Sequence, residues 1–183
     1  MNLNTKSKET EIQTIFVDWY KKNKRNLPWR KLFKNKLPNP YYIFVSEYML
    51  QQTTVGTVKN RFEEFILKWP TLNSLTRISN NTILSFWSGL GYYSRATNLL
   101  KAAKIIKKNF ENKIPKNYDD LISLPGVGDY TAKAILGIAY NQPVVTLDAN
   151  IERILARIYA LESPLVRIKK DLKEKSKLFI SQN

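Results

Sequence analysis

Two carboxyl groups and a glycine turn are the residues whose types and spacing best suit chemistry. Glu47 stands inside Val45-Ser46-Glu47-Tyr48-Met49-Leu50. On a polar helix face it would be an ordinary solvated glutamate, the usual fate of that residue. In a partly dry pocket, desolvation would raise its pKa and let it act as an acid near neutral pH. Asp148 directly precedes the apolar spacing Ile151, Ile154, Leu155, Ile158, so its simplest role is an N-cap. The N–H groups it would accept from also keep a carboxylate ionised, ready to stabilise a nearby cation. At about 4 Å and an effective dielectric of about 20, such a pair attracts by about 4 kcal/mol. Made mainly in a transition state, that is about a thousandfold in rate.

The turn is Leu124-Pro125-Gly126-Val127-Gly128, followed by Asp129-Tyr130-Thr131-Ala132. Helical spacing runs from Tyr118 to Leu124, and Ala132, Ile135, Leu136 and Ala139 mark a second helix. The Pro and two Gly between them predict a turn too tight for a Cβ. Bare N–H groups at the following helix start would suit a phosphate. For a lone Gly-x-Gly between helices, a plain αα-turn is the commoner explanation.

Read with Ser46-Glu47-Tyr48-Met49-Leu50-Gln51-Gln52-Thr53, Trp87-Ser88-Gly89-Leu90-Gly91-Tyr92-Tyr93-Ser94-Arg95 and Leu147-Asp148-Ala149-Asn150, the hairpin resembles that of the base-excision DNA glycosylases, specifically the MutY-type adenine glycosylases with their endonuclease III-like fold. The resemblance runs from about Leu27 to Ala160. It implies that Glu47 protonates adenine, at N7 in this family, and that Asp148 stabilises the deoxyribosyl cation, with Tyr130 and Asn150 holding Asp148 and the sugar. General acid assistance typically gives roughly 10²–10⁴-fold, and paired carboxyls divide work this way in glycoside hydrolysis. Members that also cut the strand place a lysine where Tyr130 stands. A tyrosine cannot form a Schiff base, so base removal without an efficient lyase step is expected. Lys133, a helical turn on, is the only nearby amine and is expected to face solvent.

Reaching the bond requires flipping the nucleotide out of the duplex. Gln52 and Tyr92 match family positions that enter the stack, although Tyr92 fits a core aromatic as well. Gln51, the hairpin residues Leu124, Gly126, Val127, Gly128 and Thr131, and, as adenine-pocket residues, Trp29 and Arg30 are carried over as substrate or DNA contacts. The resemblance also implies a [4Fe-4S] cluster bound by four cysteines C-terminal to the matched region, and a monovalent cation at the hairpin. The 183 residues contain no cysteine and no histidine, so they offer no thiolate, disulfide or imidazole ligand. A truncated chain is the expectation, because the helix predicted over Asp171–Ile180 has nothing after it to pack against. The family's C-terminal 8-oxoguanine recognition domain is likewise not among these residues.

The elements that must position these groups are helices. Formal charge is +15 and the pI about 9.9, which points to a polyanion, nucleic acid before an anionic membrane surface. A hydrophobic content of 43% with four Trp, ten Tyr and eight Phe excludes general disorder. The chain lacks both an apolar run of spanning length and a signal-peptide core. An intracellular, cytoplasmic (in a bacterium, nucleoid-associated) monomer on double-stranded DNA with mispaired adenine is expected, without membrane contact. Apolar stripes recur at Ile12, Ile15, Phe16, Trp19, Tyr20; at Val58, Phe62, Phe65, Ile66, Trp69; and at Ala96, Leu99, Ala103, Ile106, Phe110. Lys101, Lys104, Lys107 and Lys108 fit a solvated face. Val144–Leu147 is strand-like but too short to seed a sheet.

The reading is all-α. By resemblance it is a helix-hairpin-helix glycosylase fold: a six-helix barrel over 31–148 with the hairpin, an N-terminal helix in 1–30 belonging to a second lobe, and an incomplete start of that lobe in 149–183. The leading function is monofunctional excision of adenine opposite guanine or 8-oxoguanine. The alternatives are a mismatch thymine or endonuclease III-like pyrimidine glycosylase, and a non-catalytic helix-hairpin-helix DNA-binding module or inactive fragment.

Overall fold

A computed structural model describes residues 3–33 and 37–179. Among them the chain is helical without a β-strand: α1 (Leu3–Asn23), a 3₁₀ turn at Pro28–Arg30, α2 (Pro40–Leu50), α3 (Val55–Lys68), α4 (Leu72–Leu75), α5 (Asn80–Trp87), α6 (Ser94–Asn109), α7 (Tyr118–Ile122), α8 (Asp129–Tyr140), α9 (Ala149–Ile158) and α10 (Leu165–Lys177). The strand-like run Val144–Leu147 is irregular and half-buried. The helices divide into two compact units. One is Leu27–Gln142; the other joins Met1–Asn26 to Pro143–Asn183.

In the Leu27–Gln142 unit, α2 is the axis. Asn39 accepts from Tyr41 N and Pro40 fills the first turn, the expected start of a helix. Every residue from Ile43 to Met49 is then buried. A helix with no polar face must be enclosed on all sides, and α3, α6, α8 and the 3₁₀ turn pack around it. Small residues let α8 close in: Ala132 and Ala139 are buried with Ile135 and Leu136. Edge-to-face aromatic pairs fill the rest, Trp29 on Phe62 and Phe65 on Trp69 among them. The lysine face of α6 is exposed, as its pattern predicted.

The other unit has a far smaller core. Leu155, Ile168 and Leu172 are buried, with Leu147, Ile151, Tyr159, Leu161 and Phe179 packed against them. The C-terminal helix packs against α9, which precedes it in the chain; its apolar residues fall at 168 and 172, one turn apart. On α1, Ile15, Phe16, Trp19 and Tyr20 do form a stripe, but each is at least 43% exposed. Helical spacing establishes a face, not what covers it.

Candidate active site

Glu47 sits midway along the enclosed α2, 7% exposed. Burial pushes its carboxyl up to about 7, and the positive charge of Arg30 draws it part of the way back. A carboxyl in this state holds a proton near neutrality and can release it, as an acid must. The solvated alternative for Glu47 does not apply: α2 has no solvated face to offer.

The next residues tie α2 to the hairpin. The Tyr48 hydroxyl donates to Pro125 O at 2.5 Å, and burial raises its pKa. Gln51 Nε2 donates to Gly126 O at 3.1 Å and reaches Thr131 Oγ1 at 3.5 Å. Both hairpin carbonyls, of Pro125 and Gly126, thus accept from side chains of α2 and the residue after it. Gly126 has φ +80°, and a Cβ there would lie 2.9 Å from Asn98 Cβ and 3.0 Å from Tyr48 Cε1. It must be glycine. Gly128 need not be: its φ is −99° and the space for a Cβ is open, which corrects the expectation that both glycines serve tightness. Gly128 is the N-cap of α8 and supplies no side-chain cap, so the first N–H groups of α8 gain no partner from it.

Other sequence candidates are placed differently. Leu124, Val127 and Thr131 are buried, as is Trp29. Tyr130 is half exposed at the start of α8. Lys133 is paired with Asp129 at 2.8 Å, a turn away, in an exposed ion pair. Gln52 and Tyr92 are both exposed and both hold positive φ, 56° and 48°. Two such non-glycine residues mark strain that surrounding structure must sustain. Arg95, quoted in the sequence motif without a role, and Tyr48 are the residues that sequence reasoning passed over. Their partners are backbone carbonyls, which leave no pattern in a sequence.

Asp148 and Asn150 belong to the smaller unit. Asp148 caps α9: Oδ1 accepts from Asn150 N at 2.9 Å and Ile151 N at 2.8 Å. Asn150 Nδ2 lies 3.4 Å from the second carboxylate oxygen, and its own Oδ1 accepts from Arg153. Oδ2 thus carries the longer of these bonds, from the Asn150 amide.

With no cysteine in the sequence, and no group of three His, Cys, Asp or Glu placed to hold a metal among the described residues, this chain does not fit an iron–sulfur cluster. No step here draws on one. Among the described residues no helix is long and apolar enough to cross a membrane.

A hairpin of this sequence, locked onto a central apolar helix, defines the helix-hairpin-helix class of DNA-repair folds. Residues 45–178 match the HhH-GPD superfamily of base excision DNA repair proteins, and the chain belongs to that family. It is 44% identical over 148 residues to the adenine DNA glycosylase of Buchnera aphidicola subsp. Schizaphis graminum (strain Sg), covering 80% of this chain and 41% of that protein. Against the adenine DNA glycosylase of Homo sapiens it is 38% identical over 156 residues, covering 83% and 29%. The chain thus spans less than half the length of these curated relatives. Among solved structures, a thermostable thymine-DNA glycosylase superposes with a TM-score of 0.74 at 26% identity, over 82% of this chain and 68% of that one. An endonuclease III–DNA complex superposes at 0.70 and 19% identity, over 91% and 77%, and shares the fold.

Proposed function

We propose that this chain carries the catalytic region of a DNA glycosylase that hydrolyses the N-glycosidic bond of adenine mispaired with guanine or 8-oxoguanine, without cutting the strand. The observation that carries the reading is Glu47, a carboxyl only 7% exposed among the apolar residues of α2, which burial pushes up to about 7. Adenine leaves poorly as an anion. A proton from Glu47 to its ring nitrogen lets it leave neutral, and the carboxylate formed then takes a proton from the incoming water. Asp148 stabilises the sugar cation meanwhile, its carboxylate held in one orientation by the N-cap bonds and the Asn150 amide. Gln52 and Tyr92 enter the stack, and the uncapped start of α8 receives a phosphate. Tyr130 offers no amine for a Schiff base, and Lys133 is bound to Asp129.

The test is excision from duplexes holding A·8-oxoG, A·G or T·G. Adenine release, with no covalent adduct trapped by borohydride, is the expected result. Thymine release alone would replace this reading with a mismatch thymine glycosylase, which the likeness to the thymine-DNA glycosylase structure supports. Binding without excision of any base would favour a non-catalytic module.

A further inference from the structure

We infer that Arg95 is a positioning residue for base extrusion: its guanidinium ties the end of the Glu47 helix to the Gly89–Tyr92 turn and holds Gln52 and Tyr92 in their left-handed backbones. The inference rests on the glycosylase reading for what Gln52 and Tyr92 do; the geometry of the clamp stands apart from it.

Arg95 lies in the first turn of α6, 5% exposed. One arm, Nη1, donates to Met49 O at 2.7 Å, Tyr48 O at 3.3 Å and Gln51 O. The other, Nη2, donates to Leu90 O at 2.9 Å and Gly91 O at 3.1 Å. All five partners are main-chain carbonyls, and no ion pair to a carboxylate is recorded for it among the described residues. The rings of Trp87 and Tyr92 each stand 5.6 Å from its guanidinium carbon.

The chemistry of this arrangement is specific. The last carbonyls of α2 have no partner within the helix and form its negative end, so a buried cation there gains from both. Only a planar fork can serve two chain segments in fixed directions; an ammonium is a point charge and cannot. The two gripped segments run straight into the strained residues. Gln51 is followed by Gln52 at φ 56°, and Gly91, at φ 69°, by Tyr92 at φ 48°. Conformations of this kind persist only where neighbours over-determine them. Without the fork, both segments would relax toward the commoner backbone regions, and both side chains would turn from their present directions while Glu47, about one turn back within the packed α2, stays in place.

The test separates extrusion from chemistry. A duplex carrying 2-aminopurine at the target position brightens when that base leaves the stack. Measured at saturating protein and per bound duplex, the signal is unaffected by any unfolded fraction. Wild-type protein is expected to brighten the probe several-fold, Arg95→Lys to bind with similar affinity and brighten it at least threefold less. Gly91→Ala, which keeps the arginine and penalises only the left-handed turn it grips, is expected to lose brightening in the same sense and serves if Arg95→Lys does not fold. On single-stranded adenine substrate, where nothing need be extruded, excision by Arg95→Lys should stay within about twofold of wild type. Wild-type brightening by either variant overturns the inference, as does equal loss on single-stranded and duplex substrate. Wild-type protein that brightens the probe but excises nothing would overturn the glycosylase reading and leave the clamp standing.

Discussion

At the level of single residues, the decisive quantity is the free energy of a proton on Glu47. Folded, the carboxyl keeps that proton up to about pH 7; unfolded, it releases it near the ordinary value of 4.5. The native state therefore binds more protons than the unfolded state between those values, and stability must fall as pH rises through that window. The gap amounts to about 3 kcal/mol. Glu47→Gln removes the titration and keeps the shape. Relative to its own stability at pH 4, the variant is expected to outgain wild type by up to about 3 kcal/mol at pH 8, measured by urea unfolding at both pH values. A pH-independent difference would show that the group is not buried as described. Excision should respond oppositely. The same substitution should lower it by roughly 10²–10⁴-fold, and the wild-type rate should drop about tenfold per pH step above about 7. One residue would then be a liability for folding and a requirement for turnover, the usual sign of a functional carboxyl.

At the level of elements, caps and turns separate roles that a single side chain combines. Asp148 both caps α9 and is the proposed anion. Asparagine caps as well as aspartate, whereas alanine does not. Asp148→Asn should leave thermal stability within about 0.5 kcal/mol while abolishing excision, and Asp148→Ala should cost about 1 kcal/mol as well; calorimetry on both variants checks this. The hairpin offers a second contrast. Gly126→Ala drives a Cβ into Asn98 and Tyr48 at positive φ and should destabilise by roughly 1–3 kcal/mol. Gly128→Ala enters open space at an ordinary φ and should stay within about 0.5 kcal/mol in chemical denaturation. The sequence alone made the two glycines equivalent, because a Gly-x-Gly string carries no dihedral angle. It did reveal the Ala132–Ala139 stripe and the Asp148 cap, since both follow from spacing along one helix. It left the surroundings of Glu47 open: a helix apolar on every side has no direction to read, and its enclosure comes from α3, α6 and α8. Arg95 stayed silent because it binds only main chain.

At the level of the whole molecule, the two proposed carboxyls belong to units of unequal core. The Leu27–Gln142 unit encloses α2 with large aromatic and aliphatic side chains, among them Phe44, Tyr48, Phe62, Phe65 and Trp87, all at most 2% exposed. Among the described residues, the cluster around Asp148's helix has Leu155, Ile168 and Leu172 buried, with part-buried apolar side chains against them. Burying a single such side chain contributes about 1.5–3 kcal/mol, so this cluster opposes chain entropy less strongly than the core around α2. Chains of this kind open locally before they unfold globally. Amide exchange should therefore be fastest in α9 and α10 and slowest in α2 and α8, and in rising urea excision should disappear before most of the helical signal does. Leu172→Ala sharpens the case. Its side chain is fully buried, and truncation there should cost about 2–5 kcal/mol. That loss should bring forward the end of activity and the exchange of α9 and α10, while the protection of α2 and the main unfolding midpoint stay where they are in wild type. Coincident loss of activity and helicity, unmoved relative to each other by Leu172→Ala, would mean that the two units unfold as one, and that Asp148 is held as firmly as Glu47.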